Sequence, residues 1–114
     1  MADDIRAHAS HIGHSPQKVR LVIDLVRGKD IVEALDMLKF VQNAAARPIS
    51  KVLSSAMANA EENFGVSRDD LYVYKIFADA APSRRWRRFG ARGRFKPIIR
   101  RSSHITVILR EREL

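Results

Sequence analysis

Cysteine is absent from this chain, which excludes a disulfide framework and any thiolate metal site. Long apolar runs are also absent: the longest covers only a handful of residues, whereas a membrane-spanning helix needs about 20. Residues 1–15 lack the apolar core of a secretory signal. The sequence therefore predicts a cytoplasmic protein that does not contact a membrane.

Acidic residues are missing between Pro82 and Arg101, although the chain has 13 Asp and Glu residues elsewhere. The same segment contains nine cations: Arg84, Arg85, Arg87, Arg88, Arg92, Arg94, Lys96, Arg100 and Arg101. Of the 21 Lys and Arg residues, 12 lie outside it, so this segment accounts for the whole net charge of +8. A cationic segment on a near-neutral remainder favours a polyanionic partner.

A length of 114 residues with 46% hydrophobic residues fits one domain, residues 1–114, with a small core. Ser15 and Pro16 predict the start of a first helix, because Ser can cap exposed amides and Pro needs no hydrogen-bond partner at the first helical position. Gly28 predicts its end, so this helix covers about residues 16–27. Its apolar stripe consists of Val19, Val22, Ile23 and Val26.

Two further helices are predicted from start and stop signals. Asp30 with Glu33 three positions later resembles a capping box, and the apolar stripe that follows ends near Phe40. A longer helical pattern begins at about Ala45 and is stopped by Gly65. The Ala-rich face of this third helix indicates close packing in a core.

Three stretches are typical of β-strands. Residues 5–12 alternate weakly and fit an edge strand or an extended arm, of which we expect a strand, whereas residues 71–78 and 103–109 are dense in β-branched and aromatic side chains. The last two bracket the arginine-rich segment, and the simplest connection between neighbouring strands is antiparallel. The segment then forms a hairpin from residue 81 to about residue 90 and back, which reaches on the order of 30 Å beyond the sheet at roughly 3.3 Å per residue.

The composition of this hairpin favours RNA. Trp86, Phe89 and Phe95 lie among the cations, and eight of the nine cations are Arg. Arg pairs bidentately with phosphate and stacks on bases, and aromatic rings can stack as well. Gly90 and Gly93 permit a tight turn at the end of the hairpin. The alternative is a basic loop that only increases solubility.

Catalytic motifs are scarce. The three histidines of residues 8–14 are spaced by three in an extended stretch, which places successive rings on opposite faces, and no cysteine completes a metal site. Ser102, Ser103 and His104 are neighbours in an extended segment and point apart, so they do not favour a nucleophilic triad. We therefore expect no enzyme, no cofactor and no metal.

Four ordered motifs resemble a known family. Residues 15–29 read Ser-Pro-Gln-Lys-Val-Arg-Leu-Val-Ile-Asp-Leu-Val-Arg-Gly-Lys, and residues 51–60 contain Lys-Val-Leu, Ser-Ala and Ala-Asn-Ala. Residues 91–94 read Ala-Arg-Gly-Arg, and residues 101–107 read Arg-Ser-Ser-His-Ile-Thr-Val. Together they resemble the bacterial large-subunit ribosomal protein twenty-two family, from about residue 8 to residue 111.

The resemblance implies an α+β fold: a three-stranded antiparallel sheet packed against three helices, with a long protruding β-hairpin over residues 82–99. It implies a structural constituent of the large ribosomal subunit that binds 23S ribosomal RNA, bridges several of its domains and supports early subunit assembly. The hairpin would line the nascent-polypeptide exit tunnel. The implied partners are this RNA, neighbouring large-subunit ribosomal proteins and the nascent polypeptide.

The resemblance also implies site residues. On the first helix and at the hairpin base, the expected RNA contacts are Ser15, Lys18, Arg20, Arg27, Lys29, Arg100, Arg101, Ser103 and His104. The expected tunnel tip consists of Trp86, Arg87, Arg88, Phe89, Gly90, Ala91, Arg92, Gly93 and Arg94. The alternative function is a free-standing basic RNA- or DNA-binding regulator, which would need a recognition helix, and the first helix shows no helix-turn-helix spacing.

Overall fold

A computed structural model of the protein describes residues 4–81, 84–89, 95–100 and 102–112, with only the backbone described at residue 11 and in 84–89 and 95–100. The elements in chain order are β1 (Ile5–Ile12), α1 (Pro16–Val26), α2 (Ile31–Leu38), α3 (Ala46–Asn63), a short 3-10 turn (Arg68–Asp70), β2 (Leu71–Ala80), β3 (Arg84–Phe89), β4 (Phe95–Arg100) and β5 (Ser103–Glu111). Within these described ranges, no helix is both long and apolar enough to cross a membrane. The predicted α+β fold with three helices is confirmed.

The main sheet has the strand order β1-β5-β2 and is antiparallel throughout. β5 therefore lies in the centre, and β1 is the edge strand that its weak alternation predicts. The pairs Ile5↔Leu109 and Leu71↔Glu111 mark one end of the sheet, and Ala80↔Ser103 marks the other. The two strands that bracket the arginine-rich segment are thus direct neighbours.

The core lies between one face of this sheet and the three helices. Alternate residues of β5, namely Ile105, Val107 and Leu109, are completely buried, as the period of two in a strand requires. The helices contribute their apolar stripes to the same cluster: Val19, Val22, Ile23, Val26, Ile31, Ala34, Leu38, Ile49, Val52, Leu53, Ala56 and Ala60. Each large apolar side chain buried in this way stabilises the fold by about 1.5–3 kcal/mol.

Both predicted helix caps differ from expectation. Ser15 and Asp30 occupy the N-cap positions with extended backbones, but neither side chain caps its helix. The Asp30 carboxylate instead accepts a hydrogen bond from Arg112, 82 residues away, because β5 brings its C-terminal end beside the start of α2. A charged donor outcompetes the backbone amides for this carboxylate. α2 also ends at Leu38, two residues before the predicted Phe40.

The glycines predicted to end two helices adopt the left-handed conformation. Gly28, just beyond α1, has φ of 79°, and Gly65, just beyond α3, has φ of 65°. Residues with a Cβ atom are strained in this region, so glycine is the residue that allows the chain to turn there. The C-terminal signals are therefore confirmed.

The arginine-rich segment forms the predicted hairpin. β3 and β4 pair antiparallel from Arg84↔Arg100 to Phe89↔Phe95 as a separate two-stranded sheet, which we call the arm. At its base, the amide of Ala81 donates to the carbonyl of Ser102 at 3.0 Å. The principal dimensions of the molecule are 66 × 25 × 18 Å, so its long axis is more than twice either other axis.

Candidate nucleic-acid interface

The arm places like charges opposite each other. Its register pairs Arg84 with Arg100 and Arg88 with Lys96. Directly opposed like charges destabilise an antiparallel pair, so the arm gains stability when an anion lies against it. The absence of any Asp or Glu in residues 82–101 means that this anion cannot come from the segment itself.

The structure describes no side chain of the predicted arm residues. For Arg84, Arg85, Trp86, Arg87, Arg88, Phe89, Lys96 and Arg100 the structure gives the backbone only. The predicted tip residues Gly90, Ala91, Arg92, Gly93 and Arg94, and Arg101 at the base, lie outside the described residues. Their roles in binding stay predictions.

Two of the predicted RNA contacts, Arg20 on α1 and Arg27 just after it, are exposed but bond to groups within the protein. The guanidinium of Arg20 donates to the carbonyl of Ala78 at 2.9 Å. Arg27 binds the Asp24 carboxylate at 2.8 Å and donates to the carbonyl of Ile76 at 3.0 Å. Both arginines therefore satisfy backbone carbonyls on the outer edge of β2, and their charges are partly used within the fold.

The outer edge of β2 is covered along most of its length. Val73 donates its amide to the carbonyl of Lys29 at 2.9 Å and accepts the amide of Gly28 at 3.1 Å. Arg27 and Arg20 then cover the two carbonyls further along the strand. Covering an edge in this way prevents another strand from pairing with it. This explains the placement of these two arginines without any RNA contact.

Ser103 is completely buried at the base of the arm, in contrast to its predicted role as an RNA contact. Its hydroxyl donates to the carbonyl of His14 at 2.6 Å, so it has no exposed surface in this structure. The bond fixes the turn that precedes α1 and carries Ser15, which is half-buried. The sequence could not show this, because His14 and Ser103 are 89 residues apart.

His104 lies beside His8 of β1. The rings of His104 and His8 are 5.8 Å apart, and His8 Nδ1 lies 3.0 Å from the hydroxyl of Thr106. Among the described residues, no group of three or more His, Cys, Asp and Glu side chains could hold a metal ion. His8 and His14 instead line a cleft.

The sequence reasoning missed a cationic cleft between β1 and the start of α3, which we call the β1–α3 cleft. It has a volume of 460 Å³ and is lined by His8, Ala9, Ile12, Gly13, His14, Arg47, Pro48, Lys51, Val52 and Ser55. None of these is acidic. The sequence does contain a signal for it: neither Arg47 nor Lys51 has an Asp or Glu three or four positions away, so neither can form an ion pair along its helix.

The cations of the globular part, residues 4–81 and 102–112, divide by their partners. Seven are held by a carboxylate or a backbone carbonyl: Arg20, Arg27, Lys29, Lys39, Arg68, Arg110 and Arg112. Lys75 lies 5.3 Å from the centre of the Tyr74 ring. Four have no ion pair or side-chain hydrogen bond within the described ranges: Arg6, Lys18, Arg47 and Lys51. Of the predicted contacts on α1, Lys18 is thus the one cation without an ion pair or side-chain hydrogen bond to any described residue.

Arg110 on β5 and Arg68 in the 3-10 turn form ion pairs with carboxylates of the protein itself. Arg110 binds Asp4 at 2.6 Å and lies 3.5 Å from the centre of the Tyr74 ring. The hydrogen bond from Arg110 lowers the pKa of Asp4, and the same bond raises the pKa of Arg110. The hydrogen bond to Glu61 likewise raises the pKa of Arg68. These arginines are therefore engaged within the protein itself.

The fold and its cations together define a class: a small α+β protein with an acid-free cationic hairpin. The chain belongs to the ribosomal protein L22p/L17e family, whose family model matches residues 7–110. It is similar to the large ribosomal subunit protein uL22 of Finegoldia magna, with 47% identity over 96% of this chain and 97% of the relative. It is also similar to the uL22 protein of Dehalococcoides mccartyi strain CBDB1, with 46% identity over 93% and 97%. The resemblance seen in the sequence is confirmed.

Proposed function

We propose that this protein binds 23S ribosomal RNA through its arm and through cations of its globular part, and bridges several domains of that RNA during early subunit assembly. Membership of the family makes the chain a structural, non-enzymatic constituent of the large ribosomal subunit in the bacterial cytoplasm. The observation that carries the RNA proposal is the pairing of cations across the arm without any acidic residue in the segment.

The mechanism is electrostatic and architectural. Phosphates of separate RNA domains repel one another where the domains meet, and the nine cations of residues 82–101 neutralise them. Arg suits this role because its planar guanidinium binds phosphate in a bidentate manner. The covered edge of β2 and the central position of β5 hold the base of the arm in register.

The arm is also long enough to contact a different part of the subunit from the part that the globular part contacts. Its described strands of six residues span about 20 Å at roughly 3.3 Å per residue. The proposal places residues 86–94 in the wall of the nascent-polypeptide exit tunnel, where they contact the nascent chain, and the globular part beside neighbouring ribosomal proteins. Its support is the family membership together with the elongated shape.

The first prediction concerns four arginines of β3. Replacing Arg84, Arg85, Arg87 and Arg88 together by Ala should leave the globular part folded, because the core of the described residues is built from the main sheet and the helices. RNA affinity should fall, and the slope of log affinity against log salt should become less steep by up to about 3.6, at about 0.7–0.9 for each phosphate that the variant no longer neutralises. Filter binding of transcribed 23S ribosomal RNA over a series of KCl concentrations measures this slope.

The control variant Arg68→Ala removes an ion-paired cation from the globular part and should leave the slope unchanged. An unchanged slope in the fourfold variant would show that the arm does not bind phosphates. Tight binding to duplex DNA with sequence preference would instead favour a free-standing regulator.

A further inference from the structure

Two cations without an ion pair or side-chain hydrogen bond among the described residues, Arg47 and Lys51, line the β1–α3 cleft. Arg47 and Lys51 are exposed and lie one helical turn apart at the start of α3. We propose that this cleft is a second phosphate-backbone site for ribosomal RNA, separate from the arm. The inference goes beyond the arm and relies on the proposed function only for the identity of the polyanion.

The charges of the cleft favour an anion. Cations four positions apart on a helix face the same side and repel each other by a few tenths of a kcal/mol, which a bound phosphate reverses. His8 and His14 face them from β1 and the turn that follows it. The N-terminal end of α3, an 18-residue helix, adds partial positive charge near Arg47.

The surroundings of the cleft contain little that could neutralise it. A second cleft of 670 Å³ adjoins the first and shares His14, Arg47 and Pro48 with it. Its lining also includes Lys39 and no acidic residue. Asp36 on α2, which binds Lys39 at 3.4 Å, lines neither cleft.

The shape favours a polymer over a small anion. Two adjoining open clefts that share a cationic side chain can take successive phosphates of one strand, whereas a single inorganic phosphate would fill only part of one. The His14 end of the surface is fixed to the base of the arm by the hydroxyl of Ser103. RNA that leaves the base of the arm can therefore continue along the same surface to Arg47 and Lys51.

The test is a double variant, Arg47→Ala with Lys51→Ala, in the full chain. With transcribed 23S ribosomal RNA as the probe, the salt slope should become less steep by about 0.7–0.9 for each of the two cations removed. At about 0.1 M salt the affinity should fall at least roughly tenfold. A slope equal to that of the unmodified protein would overturn the proposal.

Two controls separate charge from folding and the cleft from the arm. Arg68→Ala with Arg112→Ala changes the net charge by the same amount at cations held by Glu61 and Asp30, and should leave the slope unchanged. The fourfold arm variant is measured alongside. Loss of slope in the arm variant alone rejects the cleft and retains the proposed function, whereas loss in the cleft variant alone rejects the arm and retains the cleft.

Cross-linking identifies the class of macromolecule at the cleft. Because the chain has no cysteine, Ser55→Cys provides a single attachment point for a photo-cross-linker on the wall of the cleft. In reconstituted large subunits this position should cross-link to 23S ribosomal RNA, whereas Val32→Cys on α2, away from both clefts, should not. Cross-links from position 55 to protein alone, or none to RNA, would overturn the proposal.

Discussion

Lys18 and Arg20 lie two residues apart on α1, and the fold uses them differently. Arg20 donates to the carbonyl of Ala78 on β2, whereas Lys18 is exposed and makes no ion pair or side-chain hydrogen bond with the part of the chain that the structure describes. A cation that already satisfies a backbone carbonyl must give up that bond before it can bind a phosphate. Equal charge in the sequence therefore does not mean equal availability to RNA.

At the residue scale, Arg20→Ala should mainly change the stability of the fold, whereas Lys18→Ala should mainly change RNA binding. Arg20→Ala should lower the free energy of unfolding by about 1 kcal/mol, because the carbonyl of Ala78 loses its donor, and should leave the salt slope of RNA binding nearly unchanged. Lys18→Ala should change stability by less than about 0.5 kcal/mol and reduce the slope by about 0.7–0.9. Urea unfolding and filter binding measure the two quantities. If Arg20→Ala reduced the slope and Lys18→Ala did not, Arg20 would be the RNA contact and Lys18 would not.

The backbone conformation at the end of α1 both stops the helix and positions the segment that follows it. The chain leaves α1 at Gly28, whose amide then bonds to Val73 and begins the coverage of the β2 edge. The same residue therefore ends a helix and aligns the next segment with the sheet. Its left-handed φ, and not a lack of space, requires glycine, because a Cβ atom added there would meet no atom within 4 Å.

At the element scale, Gly28→Ala should lower the free energy of unfolding by about 1–2 kcal/mol, the cost of a left-handed conformation for a residue with a Cβ atom. Gly13→Ala is the matched control, since an added Cβ atom also meets nothing there and the backbone is not left-handed. It should change stability by less than about 0.5 kcal/mol. Similar urea midpoints for both variants would show that φ does not decide the cost.

The whole molecule separates its charge from its core. The core cluster lies between the main sheet and the helices, while residues 82–101 carry the entire excess of positive charge. Ala80 and Ser103 form the last pair of the main sheet at the base of the arm, so the strand pairing of the main sheet does not include the arm. The arm can therefore serve binding while the rest of the chain supplies stability.

At the scale of the molecule, the long axis of 66 Å lets the arm and the globular part contact different surroundings. A cross-linker on Ala91→Cys should react with a stalled nascent peptide in assembled ribosomes, because the proposal places the tip in the tunnel wall. The same cross-linker on Glu62→Cys, at the end of α3, should not react with a nascent peptide that is still inside the tunnel. Equal labelling of the peptide from both positions, or from neither, would contradict the proposed placement.

The sequence by itself determined the elements and the chemical character of the protein. Apolar periodicity, the glycines after α1 and α3 and the β-branched runs are local signals, and each acts on the backbone within a few residues of itself. They located the three helices, the edge strand β1 and the hairpin, with errors of one or two residues at element ends. The absence of acidic residues from 82–101 is enough to identify the cationic arm, because charge composition does not depend on the fold.

Tertiary structure alone decided which polar groups meet. Arg112 binds the Asp30 carboxylate from 82 residues away, so Asp30 does not cap α2. Ser103 bonds to His14 across 89 residues, and Arg20 bonds to Ala78 on β2 across 58 residues. Such pairs depend on which strands become neighbours, and the local sequence around each residue does not contain that information. The same assembly leaves Arg47 and Lys51 without partners among the described residues beside two histidines, and so creates the cleft. The sequence determined how many cations the chain has, and the fold decided which of them remain available to RNA.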